Sequence, residues 1–267
     1  MLRAITDVNI AKFLTHDVPL FKNITSDLFP GVELPEPDYV DLLAAFNNQC
    51  QKANYQVTEY FTAKAIETYE MIRVRHGVMV VGLAMSCKMA ILKMLAASLT
   101  QLSEERKPNA LKTVMQIINP KSVTLGQLYG KADEVSHDWS DGVLAVYFRN
   151  MSHMEVELNK WLIFDGPVDT LWIESMNTVL DDSRKLCLNS GEIIHMAQNM
   201  NCISVPADLA EASPATVSRN GVIYMQPHLV GWRPLYDSWK NTLPECFFAE
   251  GNEAHLKNID ELIDVVV

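Results

Sequence analysis

The hydrophobic period of the chain changes at Val78. Upstream of it, apolar residues recur at helical spacing. Tyr39, Leu42, Leu43 and Phe46 follow Asp38, which reads as an N-cap, and Phe61, Ala65, Ile66, Tyr69 and Ile72 form one stripe over residues 61–74. Spacings of three and four put such side chains on one helix face, and a short polar side chain ahead of them accepts from the first-turn N–H groups. Val78-Met-Val-Val81 then shows no polar alternation, as expected of a strand buried on both faces. Residues 82–87 read as a loop and 88–99 as a helix. Further strands are predicted at 114–118, 161–164, 202–205 and 222–225, with helices at 139–148 and 171–180. Residues 185–195 form two short runs around Asn189-Ser-Gly191, which predicts a hairpin. Strands alternating with helices predict an α/β fold with a five-stranded parallel sheet flanked by helices. Ahead of it, Pro30, Pro35 and Pro37 predict an extended N-terminal segment, because residues before proline avoid the helical region.

Composition narrows the function classes. The 267 residues are 48% hydrophobic, enough for a sizeable core. Lys and Arg number 22 against 33 Asp and Glu, a net charge of -11. That balance argues against nucleic acid, whose binding depends on cations neutralising phosphates, and against an anionic membrane surface. The apolar stretch from Val78 to Leu99 could be mistaken for a membrane span, but it contains Lys88 and Lys93. The five cysteines show no paired spacing and read as reduced thiols of a cytosolic protein. Neither a nucleophile elbow of the G-x-S-x-G type nor an H-E-x-x-H metal motif occurs.

The loop Gly82-Leu-Ala-Met-Ser86-Cys87-Lys88-Met89 aligns with the phosphate-binding pattern G-x-x-x-x-G-K-[ST]. Gly82 fits the first glycine and Lys88 the phosphate-reaching lysine. Cys87 stands where the second glycine belongs and Met89 where a magnesium-binding hydroxyl belongs. Taken alone, these residues are better read as a strand–turn–helix with one surface lysine. The context adds Asp165 at the end of the apolar run Trp161-Leu-Ile-Phe164, where a carboxylate can reach Mg²⁺ beside such a loop. Gly166 follows it, so no general base is evident there, and Asp169 reads as a helix N-cap. Arg219, just ahead of the last strand, is either an arginine finger for a neighbouring subunit or a solvated or ion-paired arginine.

Long ordered stretches resemble the second AAA+ module of axonemal dynein heavy chains, particularly the single-headed inner-arm type. They include Asp17-Val-Pro-Leu-Phe21, Asp27-Leu-Phe-Pro-Gly-Val-Glu-Leu-Pro35, Gly126-Gln-Leu-Tyr-Gly130, Ile163-Phe-Asp-Gly-Pro-Val-Asp169, Asn177-Thr-Val-Leu-Asp-Asp182, Lys185-Leu-Cys-Leu-Asn-Ser-Gly-Glu-Ile-Ile194 and Ser213-Pro-Ala-Thr-Val-Ser-Arg219. The resemblance implies a P-loop NTPase AAA+ large domain over 41–238. It also implies a lead-in and adenine-covering segment over 1–40, near Val32 and Leu34, and the start of a helical lid over 239–267. It further implies ATP or ADP, with or without Mg²⁺, bound without hydrolysis. Arg219 would then serve the preceding module of a motor ring that meets microtubules only through the full heavy chain, in the cytoplasm and the axonemal cytoskeleton of a cilium or flagellum. Cys87 and Met89 depart from the family, as does Asn220 in place of the usual cysteine. A scaffold that keeps the fold without binding nucleotide is the alternative.

Overall fold

The computed structural model describes residues 6, 9, 13, 17–32, 38–108, 110–248 and 253–266. Helices α1 (Val18–Leu28), α2 (Val40–Lys52) and α3 (Glu59–Val74) lead into β1 (Gly77–Val81) and α4 (Lys88–Glu104). Strand β2 (Thr113–Ile118), α5 (Leu125–Tyr129), a hairpin of β3 (Gly130–Ala132) and β4 (Trp139–Asp141), α6 (Val143–His153) and β5 (Asn159–Phe164) follow. Next come α7 (Thr170–Ile173), a 3-10 turn (Glu174–Met176), α8 (Asn177–Leu180) and a second hairpin of β6 (Lys185–Cys187) and β7 (Ile193–His195). Strand β8 (Met200–Ser204), α9 (Pro214–Arg219), β9 (Gly221–Tyr224), α10 (Pro227–Val230), α11 (Arg233–Lys240) and α12 (Glu253–Val266) complete the order.

The central sheet runs β2-β5-β8-β1-β9, with every pairing parallel. All five predicted strands lie in it. β1 sits between β8 and β9, with Val78 opposite both Ile203 and Gly221. Successive side chains of a strand point to opposite faces, so even the unbroken apolar run of β1 serves two cores. Val78 and Val80 join Phe46, Phe61, Met71, Leu92, Leu95 and Trp161 beneath α2, α3 and α4. Met79 and Val81 join Leu128, Leu144, Phe148, Leu162 and Trp172 on the other face. Among the described residues no helix is long and apolar enough to cross a membrane; α4 is instead a core helix with nine of its residues buried.

Three expectations need correction. Residues 139–148 are not one helix: Trp139–Asp141 pair antiparallel with Gly130–Ala132, and the helix begins at Val143. Gly142 marks the break, since a Cβ there would overlap the Leu128 carbonyl and the Gly130 nitrogen. The predicted helix over 171–180 is interrupted by the 3-10 turn, although Trp172, Ile173, Met176, Val179 and Leu180 still share one buried stripe. The lead-in segment is not extended throughout. α1 spans 11 residues, with Pro19 in its first turn, where a missing N–H is harmless. Pro30 lies just past the helix end at Phe29, so it limits the helix and does not prevent it. The 185–195 hairpin forms in the register Leu186 to Ile194, with Gly191 at φ +88° in its turn.

A carboxylate network ties the two hairpins to α6. Arg149 donates to Asp141 at 2.8 Å and to Glu192 at 2.9 and 2.5 Å. These bonds hold the Asp141 and Glu192 carboxyls below the usual carboxylate range.

Candidate functional site

The loop at 82–87 leaves the carboxyl end of β1 and enters α4. Its first glycine is required by a close approach: a Cβ on Gly82 would overlap the Met225 carbonyl, just past β9. The Gly82 N–H donates to the Pro206 carbonyl at 3.2 Å, which fixes the loop root to the segment after β8. Ser86 is buried, and its hydroxyl donates to the Leu83 carbonyl at 2.7 Å. Cys87 takes the left-handed conformation, at φ +61° and ψ 22°, immediately ahead of α4. An L-residue with a Cβ pays roughly 1–2 kcal/mol in that region while glycine does not. The backbone therefore keeps the shape that a glycine would adopt, although the glycine is gone.

Lys88 folds back over its own loop. Its Nζ donates to the Gly82 carbonyl and, at 3.2 Å, to the Leu83 carbonyl. Burial pulls the Lys88 amine below its ordinary pKa, and the nearby Asp165 charge opposes that shift. The tertiary fold thus brings Lys88 and Asp165 within electrostatic reach, as their spacing in the sequence could only suggest. Met89 packs its thioether against the α2–α4 core, so no hydroxyl is offered at the position where a magnesium ligand belongs.

Asp165 is exposed at the end of β5, and its backbone N–H is held by the Ile118 carbonyl at 2.9 Å. Gly166 beside it is confined: a Cβ would lie 2.9 Å from the Asn119 side-chain oxygen, which itself accepts from the Lys121 N–H. No group of three or more metal-ligating side chains occurs among the described residues. A magnesium ion would therefore have the Asp165 carboxylate but no companion hydroxyl at 89. The donor set does not fit a full magnesium site, and no catalytic step can be routed through one. Asp169 caps α7 as expected, accepting from the Trp172 N–H at 3.2 Å.

Arg219 ends α9 and lies at the amino end of β9, whereas the loop lies at the carboxyl end of the parallel neighbour β1. The two are at opposite edges of one sheet, so Arg219 does not face this chain's own loop. Its Nε donates to Asp181, directly after α8. Of the two sequence alternatives, this chain by itself displays the ion-paired arginine. The pair is half exposed, so the guanidinium retains donors facing outward. Asn220 turns inward: it is buried, and its amide donates to the Thr216 carbonyl at 2.8 Å.

The remaining assignments divide. Val32 is exposed, and Leu34 lies outside the described residues. Asp181 as the holder of Arg219 was not legible from spacing, because 38 residues separate the pair. The run Asp181-Asp182 beside a helix end was its one visible signal. Cys87 is half-buried and its thiol pKa is raised by burial, which keeps it a neutral thiol at neutral pH.

A family profile described as "Hydrolytic ATP binding site of dynein motor region" matches residues 1–89. It ends at Met89, so neither Asp165 nor Arg219 falls within it. Among curated proteins, the chain is 54% identical over 253 residues to Dynein axonemal heavy chain 3 of Mus musculus, covering 95% of this chain and 6% of that protein. It is 53% identical over 267 residues to Dynein axonemal heavy chain 12 of Mus musculus, covering 100% and 9%. To Dynein axonemal heavy chain 1 of Mus musculus it is 46% identical over 248 residues, covering 91% and 6%. The chain thus spans less than a tenth of the length of these relatives. With its all-parallel five-stranded sheet and 46–54% identity to these relatives over 91–100% of its length, the chain belongs to the axonemal dynein heavy chains, as a segment of their motor region.

Proposed function

We propose that this segment is the second AAA+ module of an inner-arm axonemal heavy chain. In this reading it holds ATP or ADP at the 82–89 loop without hydrolysing it and lends Arg219 to the preceding module. The axonemal relatives carry the location with them, the cytoskeleton of the cilium or flagellum axoneme. The observation that carries the reading is the loop backbone: Cys87 keeps a glycine-like conformation directly ahead of Lys88 at the carboxyl end of a buried parallel strand. Backbone N–H groups at such a turn cradle phosphates. For binding, the Lys88 amine exchanges the Gly82 and Leu83 carbonyls for phosphate oxygens. Hydrolysis is not supported, because Gly166 stands where a base would be needed and Met89 where a metal ligand would be needed.

Arg219 acts in trans in this reading, with Asp181 as its positioning residue. Its place at the amino edge of the sheet, turned from its own loop, suits a ring in which each module faces the next. Microtubules are reached only through the full heavy chain, and neither nucleic acid nor membrane is a partner.

A second reading, a scaffold that no longer binds nucleotide, is favoured by the same lysine. Its amine is already satisfied by two loop carbonyls, so phosphate must compete with them. Equilibrium binding of fluorescent ATP, with and without Mg²⁺, decides between the two. Saturable binding that is lost in Lys88→Ala, with no turnover, supports the nucleotide-holding module. A folded chain that binds no nucleotide supports the scaffold, and turnover above background removes the claim that hydrolysis is absent.

A further inference from the structure

A second cavity, of about 290 Å³, opens at the amino-terminal edge of the sheet, away from the loop. It is lined by Arg73 and Arg75 at the end of α3, His76, Trp161 of β5, Arg184 after α8 and Asn201 of β8, among others. No Asp or Glu lines it, in a chain whose net charge is -11. Three arginines thus line a cavity that no acidic residue lines.

Two of those cations lack a counter-charge. Arg75 and Arg184 are half-buried and make no side-chain hydrogen bond or ion pair among the described residues, whereas Arg73 stacks 5.4 Å from the Tyr69 ring near Glu70. Trp161 supplies an independent sign. Its side chain is 1% exposed, and its indole N–H has no acceptor, as the buried His76 Nε2 also has no partner. Buried donors are rarely left unmatched, and each such group calls for an explanation. The asparagine amide is committed to structure: Asn201 donates to the Ile72 and Arg75 carbonyls at 3.0 and 3.1 Å, which fixes the backbone that carries Arg75. Burial and the neighbouring Arg184 charge keep His76 below its ordinary pKa, so it does not add a fourth fixed charge. Water can accept from the indole N–H and solvate the half-buried guanidiniums, but it brings no counter-charge. A compact multi-oxygen anion matches all of these donors at once, and guanidinium forks favour phosphate geometry.

The geometry points to a phosphate-binding pocket at the amino edge of the sheet, formed by Arg75, Arg184 and the Trp161 indole N–H, for free phosphate or a phosphate monoester. The full chain, labelled with ¹⁵N at tryptophan, is titrated with inorganic phosphate and, in parallel, with glycerol phosphate at constant ionic strength. A saturable movement of the Trp161 indole signal is expected, assigned with Trp161→Phe. The ligand that saturates at lower concentration identifies the source. Arg75→Gln with Arg184→Gln should weaken the response about tenfold or more. Lys88→Ala should leave it unchanged, which separates this pocket from the loop and from the proposed nucleotide reading. Should Trp161→Phe fail to fold, the phosphate-induced rise in melting temperature serves instead, expected in the wild type and in Lys88→Ala and absent from the arginine double variant. An indole signal that does not saturate, an undiminished response in the arginine double variant, or a response lost in Lys88→Ala overturns the pocket.

Discussion

The loop at the carboxyl end of β1 and the arginine at the amino end of β9 sit on adjacent strands, yet they are built in opposite ways. At the loop the backbone has the shape of a phosphate-binding turn but offers few ligand donors: Gly82 meets the Met225 carbonyl, Cys87 turns left-handed, and position 89 carries a thioether. At the arginine the guanidinium is held in an ion pair with Asp181. Loop shape is enforced by the parallel sheet on which it is built, so single substitutions deform it little. Ligand donors are individual atoms, and one substitution removes them. Retained shape is thus weaker evidence for function than a retained, positioned charge.

The comparison is broken most directly at Arg219. In a complete motor ring, Arg219→Ala should slow hydrolysis at the preceding module by roughly 10³–10⁵, the contribution of an arginine finger. Asp181→Ala should give a smaller loss, since it removes the positioning and not the charge. Single-turnover rates measure both, and an unchanged rate in Arg219→Ala would return the residue to a plain surface pair. Gly82→Ala tests how firmly the sheet dictates the loop. The added Cβ meets backbone, so about 1–3 kcal/mol of stability should be lost in urea unfolding. Unchanged stability would mean that the loop and the segment after β9 part easily.

Cys87→Gly should move stability the other way. Relieving the left-handed cysteine contributes more than glycine's entropy and the lost thiol packing take back, for a net gain of about 0.5–1 kcal/mol. Adding Met89→Thr should then raise nucleotide affinity if only these two positions have decayed. Gly166→Glu should not restore turnover, because the new side chain begins against Asn119.

A comparably small effect belongs to the hairpins. Arg149→Ala should cost about 1 kcal/mol near neutral pH, discounted because the partners are partly exposed. The sign follows from the lowered Asp141 and Glu192 pKa values. A carboxylate with a depressed folded pKa contributes stability above its unfolded value of about 4 and loses it as pH falls through the folded value. The wild type and Arg149→Ala should therefore converge in acid, and a constant difference across pH would show that Arg149 acts by packing alone.

Much of the fold was legible because burial leaves a periodic trace. Each sheet strand appears as an apolar run, and the α2, α3 and α4 stripes recur at helical spacing. Trp139 was misplaced because aromatic residues suit a strand and a buried helix face equally, and only its partner Gly130 decides between them. Pro30 limits the end of α1 and does not prevent the helix before it, and Pro35 and Pro37 lie outside the described residues. Of the candidate site, Gly82, Lys88, Asp165 and Arg219 were visible as residue types at fixed offsets. Asp181, and the meeting of Arg75, Arg184 and Trp161 at one cavity, were not, since they join elements far apart in the chain.

The sequence by itself determined the parallel α/β architecture, the loop's place after β1, and the presence of cysteine and methionine at 87 and 89. Those features are local, written in periodicity and in motif offsets. Only the tertiary structure decided where the charges point: Lys88 inward to its own loop carbonyls, Arg219 to Asp181 at the opposite edge, and three arginines to an acid-free cavity. The reason is physical. Secondary structure follows from near-neighbour sterics and burial, whereas an ionic partner is chosen by distance in space, which parallel crossovers set without regard to distance along the chain.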